Sequence, residues 1–365
     1  MARILTLEDQ LGGVRPRALP HPEPARGARG QPLDSITSRV ECFIFPVVLC
    51  FGTLNDDVYM SQPPGFIDRD KPSFVCKLQK AIYGLKQAPR AWYKELCSFF
   101  LATGFINALS DTSLFILLHG DTSIYLLVYV DDIIITRNQP TAIRKYIDML
   151  ASRFSLKDLG NLSYFIGVEV TKTKTGILLT QERYITDLLT RHMMQDVKPV
   201  STPMSSTAKL SLHSESKLDD ATRYRKVIGS LQYLMLTRSD IVYSVNKLSR
   251  YMHCPTTEHW QAAKRILRYL GGTRSHGIHY SRNNVSSLHA YSDADWGGDR
   301  DDFSSTGGYI VYLGSHPILW SSKKQKFAVK SSTEAEYKSV SSTASEVQWV
   351  TLFYPSLESL FYLFR

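Results

Sequence analysis

The chain has 365 residues, 43% hydrophobic and 21% charged, with 43 Lys and Arg against 34 Asp and Glu for a formal net charge of +9. That composition excludes wholesale disorder, a collagen and a coiled-coil rod, and the length suits two or three domains with cores of their own. No apolar run reaches the ~18–20 residues of a membrane span, and the odd set Cys42, Cys50, Cys76, Cys97 and Cys254, with no C-x-x-C pair, disfavours a disulfide scaffold or zinc ribbon and fits a reducing compartment.

Residues 1–51 form a leader rich in Arg, Pro and Gly, read as disordered or unrelated to the rest; its acids Glu8, Asp9, Glu23 and Asp34 argue against a transit peptide. The patch ECFIFPVVLCF within it is apolar enough for a strand or a buried scrap. Trp92, Leu96, Phe99 and Phe100 then fall on one helical face, with Gly104 as the stop. Two β-branched runs, 124–130 and 133–136, flank Asp131 and Asp132 and predict a tight hairpin with both acids at its tip. A helix over about 141–153, a strand pair turning near Gly176 and the helix ERYITDLLTRHMM follow. The Ser/Thr/Pro-rich stretch 201–222 reads as a linker. Beyond it the pattern gives two helices, the second with Trp260, Ala263, Leu267 and Leu270 on one face and Lys264, Arg265 and Arg268 on another. Strands in LHAYSDAD, GGYIVYL and PILWSS lead to a helix from about Ser332 to Trp349, whose regularity is expected to end at Pro355.

Two carboxylates held up by apolar strands make a hard-oxygen site of the kind Mg²⁺ accepts beside substrate phosphates. Asp-Asp is also ordinary turn chemistry, so the pair by itself leaves both readings open. Lys86 and Arg90 could position phosphates or could form a solvated charged face. Tyr83 and Trp92 read as core aromatics. Ser331-x-x-Glu334 is a capping box, and Thr333-x-x-Glu336 fits the same pattern, which leaves Glu336 a structural alternative. Asp295 reads as solvated, and Asp299, Asp301 and Asp302 as a loop. The ten histidines show no ligand spacing, and no Walker phosphate loop or hydrolase triad context occurs.

Taken in order, NDDVYMSQPPGF, KLQKAIYGLKQAPRAWY, YVDDIII, LKDLGNLSYFIGVEV, VKPVSTPM, YRKVIGSLQYLMLTRSDI and HWQAAKRILRYLGGT resemble the reverse transcriptase of copia-type retrotransposon pol polyproteins. HAYSDADWGGDRDDFSSTGGYIVYLGSHPILWSSKKQKFAVKSSTEAEY looks like the ribonuclease H of the same polyproteins, and together the likeness covers about Gly52 to Trp349. The resemblance implies an α+β chain: a reverse transcriptase palm at 52–200 lacking its fingers and first catalytic motif, the linker at 201–222, helical thumb/connection at 223–285, the N-terminal half of a ribonuclease H-like α/β domain at 286–350, and a divergent tail at 351–365.

It also assigns roles. Asp131 and Asp132 become palm carboxylates, Asp293 and Glu336 ribonuclease H carboxylates, and all four metal ligands for paired Mg²⁺ ions ~3.5–4 Å apart. Lys86, Gln87 and Arg90, with Lys264, Arg265 and Arg268, would contact nucleic acid: an RNA template, a DNA primer or their hybrid, and no membrane. The family's third palm aspartate aligns with Ile44, while Glu41 is out of step. The remaining ribonuclease H aspartates fall beyond the helix, where the likeness stops. The expectation is thus a chain truncated at both ends, in which RNA-directed DNA synthesis and RNA cleavage are both short of carboxylates. A non-enzymatic nucleic-acid-binding remnant and a non-functional pseudogene product are the alternatives.

Overall fold

The computed structural model describes strand 41–46 and residues 56–82, 85–120, 122–129, 132–137, 140–154, 160–206, 210–212, 217–285 and 287–362; the expected disordered leader lies outside them, save that strand. The chain divides into two compact units, one ending at Leu162 and one running Ser163–Pro355.

The first unit is an antiparallel sheet carrying two helices. Its strands are β1 (Glu41–Pro46), β4 (Ile106–Asn107), β5 (Leu114–His119), β6 (Thr122–Tyr129) and β7 (Asp132–Arg137), in the order β1-β7-β6-β5-β4, with β2 (Tyr59–Ser61) and β3 (Val75–Lys77) paired apart from it. Helix α1 (Ala88–Ala102) starts with Pro89 in its first turn, where the missing N–H costs no intrahelical bond. It buries Ala88, Trp92, Leu96 and Phe100, spaced i, i+4, i+8 and i+12, with Phe99 packed alongside, as the periodicity predicts. Gly104 follows at φ +92°, a conformation an L side chain resists, so the chain turns there. Helix α2 (Pro140–Phe154) adds Ile147, Leu150 and Phe154 to the same core, which meets Leu126, Val128, Ile133 and Ile135 of the sheet. Each such side chain, fully buried, contributes roughly 1.5–3 kcal/mol.

The second unit combines helices with two sheets. Strands β8 (Tyr164–Phe165), β9 (Val168–Lys172), β10 (Gly176–Thr180) and β11 (Ile278–Ser281) pair in the order β11-β10-β9-β8. Gly176 opens β10 instead of sitting in the turn; a Cβ there would meet the Tyr280 backbone of β11, so the close approach of that neighbouring strand requires glycine. Helices α3 (Glu182–Arg191), α4 (Ala221–Leu234), α5 (Val242–Ser249) and α6 (Thr257–Gly272) enclose a second core that includes Leu188, Val227, Leu231, Val245, Ala263 and Leu267. Helix α5 is not among the two expected after the linker. Strands β12 (Leu288–Ala294), β13 (Thr306–Leu313) and β14 (His316–Lys324) form an antiparallel sheet in chain order. Asn246 Nδ2 of α5 donates to the Ser322 carbonyl of β14 at 2.7 Å, and Trp320 Nε1 of β14 donates to the Met235 carbonyl just past α4 at 3.0 Å. The last helix, α7 (Ser332–Tyr362), runs through Pro355, contrary to the expected break. A proline in a helix interior removes one i→i−4 bond and costs about 3 kcal/mol, which kinks a helix without always ending it. No helix among the described residues is long and apolar enough to cross a membrane.

Candidate active sites

The two predicted strand runs do form a hairpin, with one correction. Tyr129 pairs with Asp132, so residues 130–131 make the connection and Asp132 is the first residue of β7, not part of the turn. Asp131 lies outside the described residues. Along β7 the alternation is strict: Ile133 and Ile135 are buried, while Asp132, Ile134 and Thr136 are half-buried. The helices thus cover one face and leave Asp132 on the other.

On its far side β7 pairs with β1. Pro46 stands opposite Asp132, Ile44 opposite Ile134 and Glu41 opposite Arg137. Five strand residues at ~3.3 Å each place the Glu41 backbone roughly 16 Å from the hairpin end. The register therefore brings proline and isoleucine to the tip and holds the strand's acid at the other end.

Lys86 and Gln87 lie in the turn that enters α1, Lys86 exposed and Gln87 half-buried at the N-cap; Arg90 is exposed in the first helical turn. Trp92 is buried, as a core aromatic should be, whereas Tyr83 lies outside the described residues. On α6, Lys264 sits 6.0 Å from the Trp260 ring. Arg265 donates to Thr202 Oγ1 and Arg268 to the Lys198 carbonyl, each at 2.8 Å, so both guanidiniums are partly engaged by the chain itself.

Asp293 lies on β12 and Glu336 on α7, two elements joined by the bond between Ala294 and Glu336, 42 positions apart. Ser339 of α7 donates to the Asp293 carbonyl at 2.9 Å and to the Gly308 carbonyl at 3.1 Å, which pins the helix to β12 and β13. One turn earlier, Glu336 Oε1 accepts the Ala294 N–H at 3.3 Å, directly after Asp293. Asp293 is exposed and Glu336 half-buried. Neither the Asp293 carboxylate nor Glu336 Oε2 has a hydrogen-bond partner among the described residues. Hard oxygen donors suit Mg²⁺, so the pair fits that ion as far as two ligands go. Among the described residues no three His, Cys, Asp or Glu side chains gather as a metal cluster. Glu334 behaves as a capping residue: its backbone N–H donates to Ser331 Oγ at 3.1 Å, its carboxylate accepts the Lys330 N–H at 2.9 Å, and these bonds with Lys338 hold it below the usual carboxylate range.

The acidic stretch after Gly298 is a structural hub and not a plain solvated loop. Asp299, 5% exposed, accepts from Arg250 at 2.8 Å and Lys324 at 3.0 Å. Burial alone would push its carboxyl up, but the Asp301 N–H, Lys324 and Arg250 outweigh it and hold the group low. Asp302 pairs with Lys324 at 2.7 Å, and that bond lowers it to about 2. Asp301 takes Ser211 Oγ at 2.5 Å and the Leu212 N–H, drawing in the middle of the expected linker. Asp295, expected to be solvated, accepts the Thr306 N–H. Sequence reading misses these roles because Arg250 and Lys324 lie 49 and 25 positions from Asp299 and share no local pattern with it.

Comparison with known proteins bears on the family of the chain. Residues 47–206 match the reverse transcriptase (RNA-dependent DNA polymerase) family. Over 299 residues the chain is 62% identical to the retrovirus-related Pol polyprotein from transposon RE1 of Arabidopsis thaliana, covering 82% of this chain and 20% of that protein. An uncharacterized mitochondrial protein of Arabidopsis thaliana is 40% identical over 225 residues, 62% of this chain and 93% of its own length.

The chain belongs to the copia-type pol polyproteins.

A further pol polyprotein, from transposon TNT 1-94 of Nicotiana tabacum, is 37% identical over 333 residues, 88% of this chain and 25% of that protein. This copia-type chain therefore spans between a fifth and a quarter of the length of those two pol polyproteins. The family match ends at residue 206, so Asp131, Asp132 and the turn before α1 fall inside it, while Asp293 and Glu336 rest on the geometry above.

Proposed function

We propose that this chain binds the RNA and DNA strands of reverse transcription through a copia-type palm, cannot extend a primer, and carries a second, ribonuclease H-like carboxylate pair. The observation that carries the reading is the register of β1 on β7, with Pro46 across from Asp132 and Glu41 at the far end. Nucleotidyl transfer in this family's chemistry draws on acids converging from separate strands, and β1 offers none at the hairpin end. A missing carboxylate–metal contact forfeits about 4 kcal/mol on a screened estimate at ~4 Å, or roughly three decades in rate.

The second pair acts through its own anchoring. Ser339 fixes α7 against β12, and the Ala294 N–H holds one oxygen of Glu336, so the glutamate is anchored at the amide that follows Asp293. Mg²⁺ held by Asp293 and Glu336 would supply Lewis-acid activation of water toward an RNA phosphodiester. Lys86, Gln87 and Arg90 at the start of α1 hold phosphates without reading sequence.

A primer-extension assay on a homopolymer template with Mg²⁺ tests the reading. Wild-type protein should bind the primer–template and leave the primer unextended; processive synthesis by the wild type would overturn it.

A further inference from the structure

Helix α6 forms one wall of a cleft of about 620 Å³ in the second unit. Its lining divides by chemistry: Lys264, Arg265 and Arg268 bring cations, while Met194, Met204 and Leu210 bring apolar surface. Lys264 and Arg268 are four residues apart and so share a helix face. The arginine heads are held at the cleft by their bonds to Thr202 and the Lys198 carbonyl, which spares part of the entropy of ordering them on a ligand. Arg265 also keeps an enclosed Nε with no hydrogen-bond partner among the described residues. Glu258 is the one carboxylate in the described lining, against three cations.

We propose that this cleft takes one nucleotide of a single nucleic-acid strand, with its phosphate on the three cations and its base against Met194, Met204 and Leu210. The volume lies within the ~300–1,000 Å³ usual for small-ligand sites. Guanidinium forks match phosphate oxygens, and soft thioethers pack against flat aromatic faces. A base can reach the apolar part only when it is unstacked, which selects a single strand over a duplex. The inference rests on the reading of the chain as a nucleic-acid binder and adds a site that reads strandedness.

The test uses the full chain and fluorescence anisotropy with a labelled short oligothymidylate, an abasic strand of equal length, and a duplex. The intact strand should bind about fivefold or more tightly than the abasic one, by virtue of the packed base. Lys264→Glu should lower the salt slope by about one phosphate contact, and Met204→Glu should abolish the preference for the intact strand. Lys264 makes no hydrogen bond among the described residues and only a 6.0 Å contact to the Trp260 ring, so its reversal should leave the fold intact and thermal unfolding cooperative. Arg268→Lys, which keeps the charge, should retain the preference. Equal affinity for intact and abasic strands, or an unchanged slope in Lys264→Glu, overturns the proposal while general nucleic-acid binding stands. Failure of the wild type to bind any of the three nucleic acids overturns both.

Discussion

The hairpin end at Asp132 and the pair Asp293/Glu336, the two proposed carboxylate sites, are built in opposite ways. At the hairpin the sheet is well formed and its core is full, yet the neighbouring strand presents Pro46 and Ile44 where an acid would be needed. At the second site the sheet has three strands and an exposed edge acid, yet α7 delivers Glu336 to the amide next to Asp293. A sound scaffold therefore does not imply an equipped site. Packing depends on apolar pattern, which isoleucine satisfies as well as any residue, whereas metal chemistry depends on individual oxygens at individual register positions.

The sharpest break would come at Ile44. If its register position is what silences the palm, Ile44→Asp should raise primer extension from background by tenfold or more, toward the roughly thousandfold worth of a carboxylate–metal contact. Extension that stays at background in that variant would move the cause elsewhere in the palm.

The acidic hub of the second unit can be tested next. Asp299→Ala leaves Arg250 without its ion pair while Lys324 keeps Asp302, and should destabilise the second unit by about 2–3 kcal/mol, less than the ~3–5 of a fully buried pair because Lys324 is partly exposed and still paired. Urea unfolding followed by Trp fluorescence measures it. The same acids set an acid limit. Asp299 and Asp302 are held below their ordinary 3.8, Asp302 at about 2, so their contribution is complete above that ordinary value and fades as pH falls toward about 2. A second unit that holds full stability down to pH 2 would contradict the network.

A smaller effect separates the two carboxylates themselves. Asp293→Asn and Glu336→Gln should each weaken Mg²⁺ binding, followed by NMR titration, by about tenfold. Only Glu336→Gln should also loosen the start of α7, because it weakens the Ala294 bond; hydrogen exchange at that amide reports it. Identical effects of both changes on exchange would erase the distinction.

The smallest effect concerns two buried histidines. His316 Nε2 accepts the Ser281 N–H at 2.7 Å, and His259 Nδ1 accepts the Thr256 N–H at 3.0 Å. Burial lowers both, so the neutral form is the folded one. Their stabilisation is full above the ordinary 6.5 and is lost as pH falls through the lowered values. His316→Gln should flatten that mild slope of melting temperature against pH.

Much of this molecule is written locally. The i, i+4 spacing from Ala88 to Phe100, the β-branched runs either side of Asp131 and Asp132, and the capping box at Ser331 each dictate an element through contacts a few residues long. The same locality exposed the motifs that resemble copia-type pol sequences, and with them Asp293 and Glu336. What local pattern could not give was partnership. Asp132 as a strand residue, Pro46 across from it, Glu336 on the Ala294 amide and Asp299 between Arg250 and Lys324 are all fixed by registers and packings between distant segments. Propensity and periodicity act over one or two turns of chain, but the position of a charge relative to another charge is a property of the folded contact, and only tertiary structure decides it.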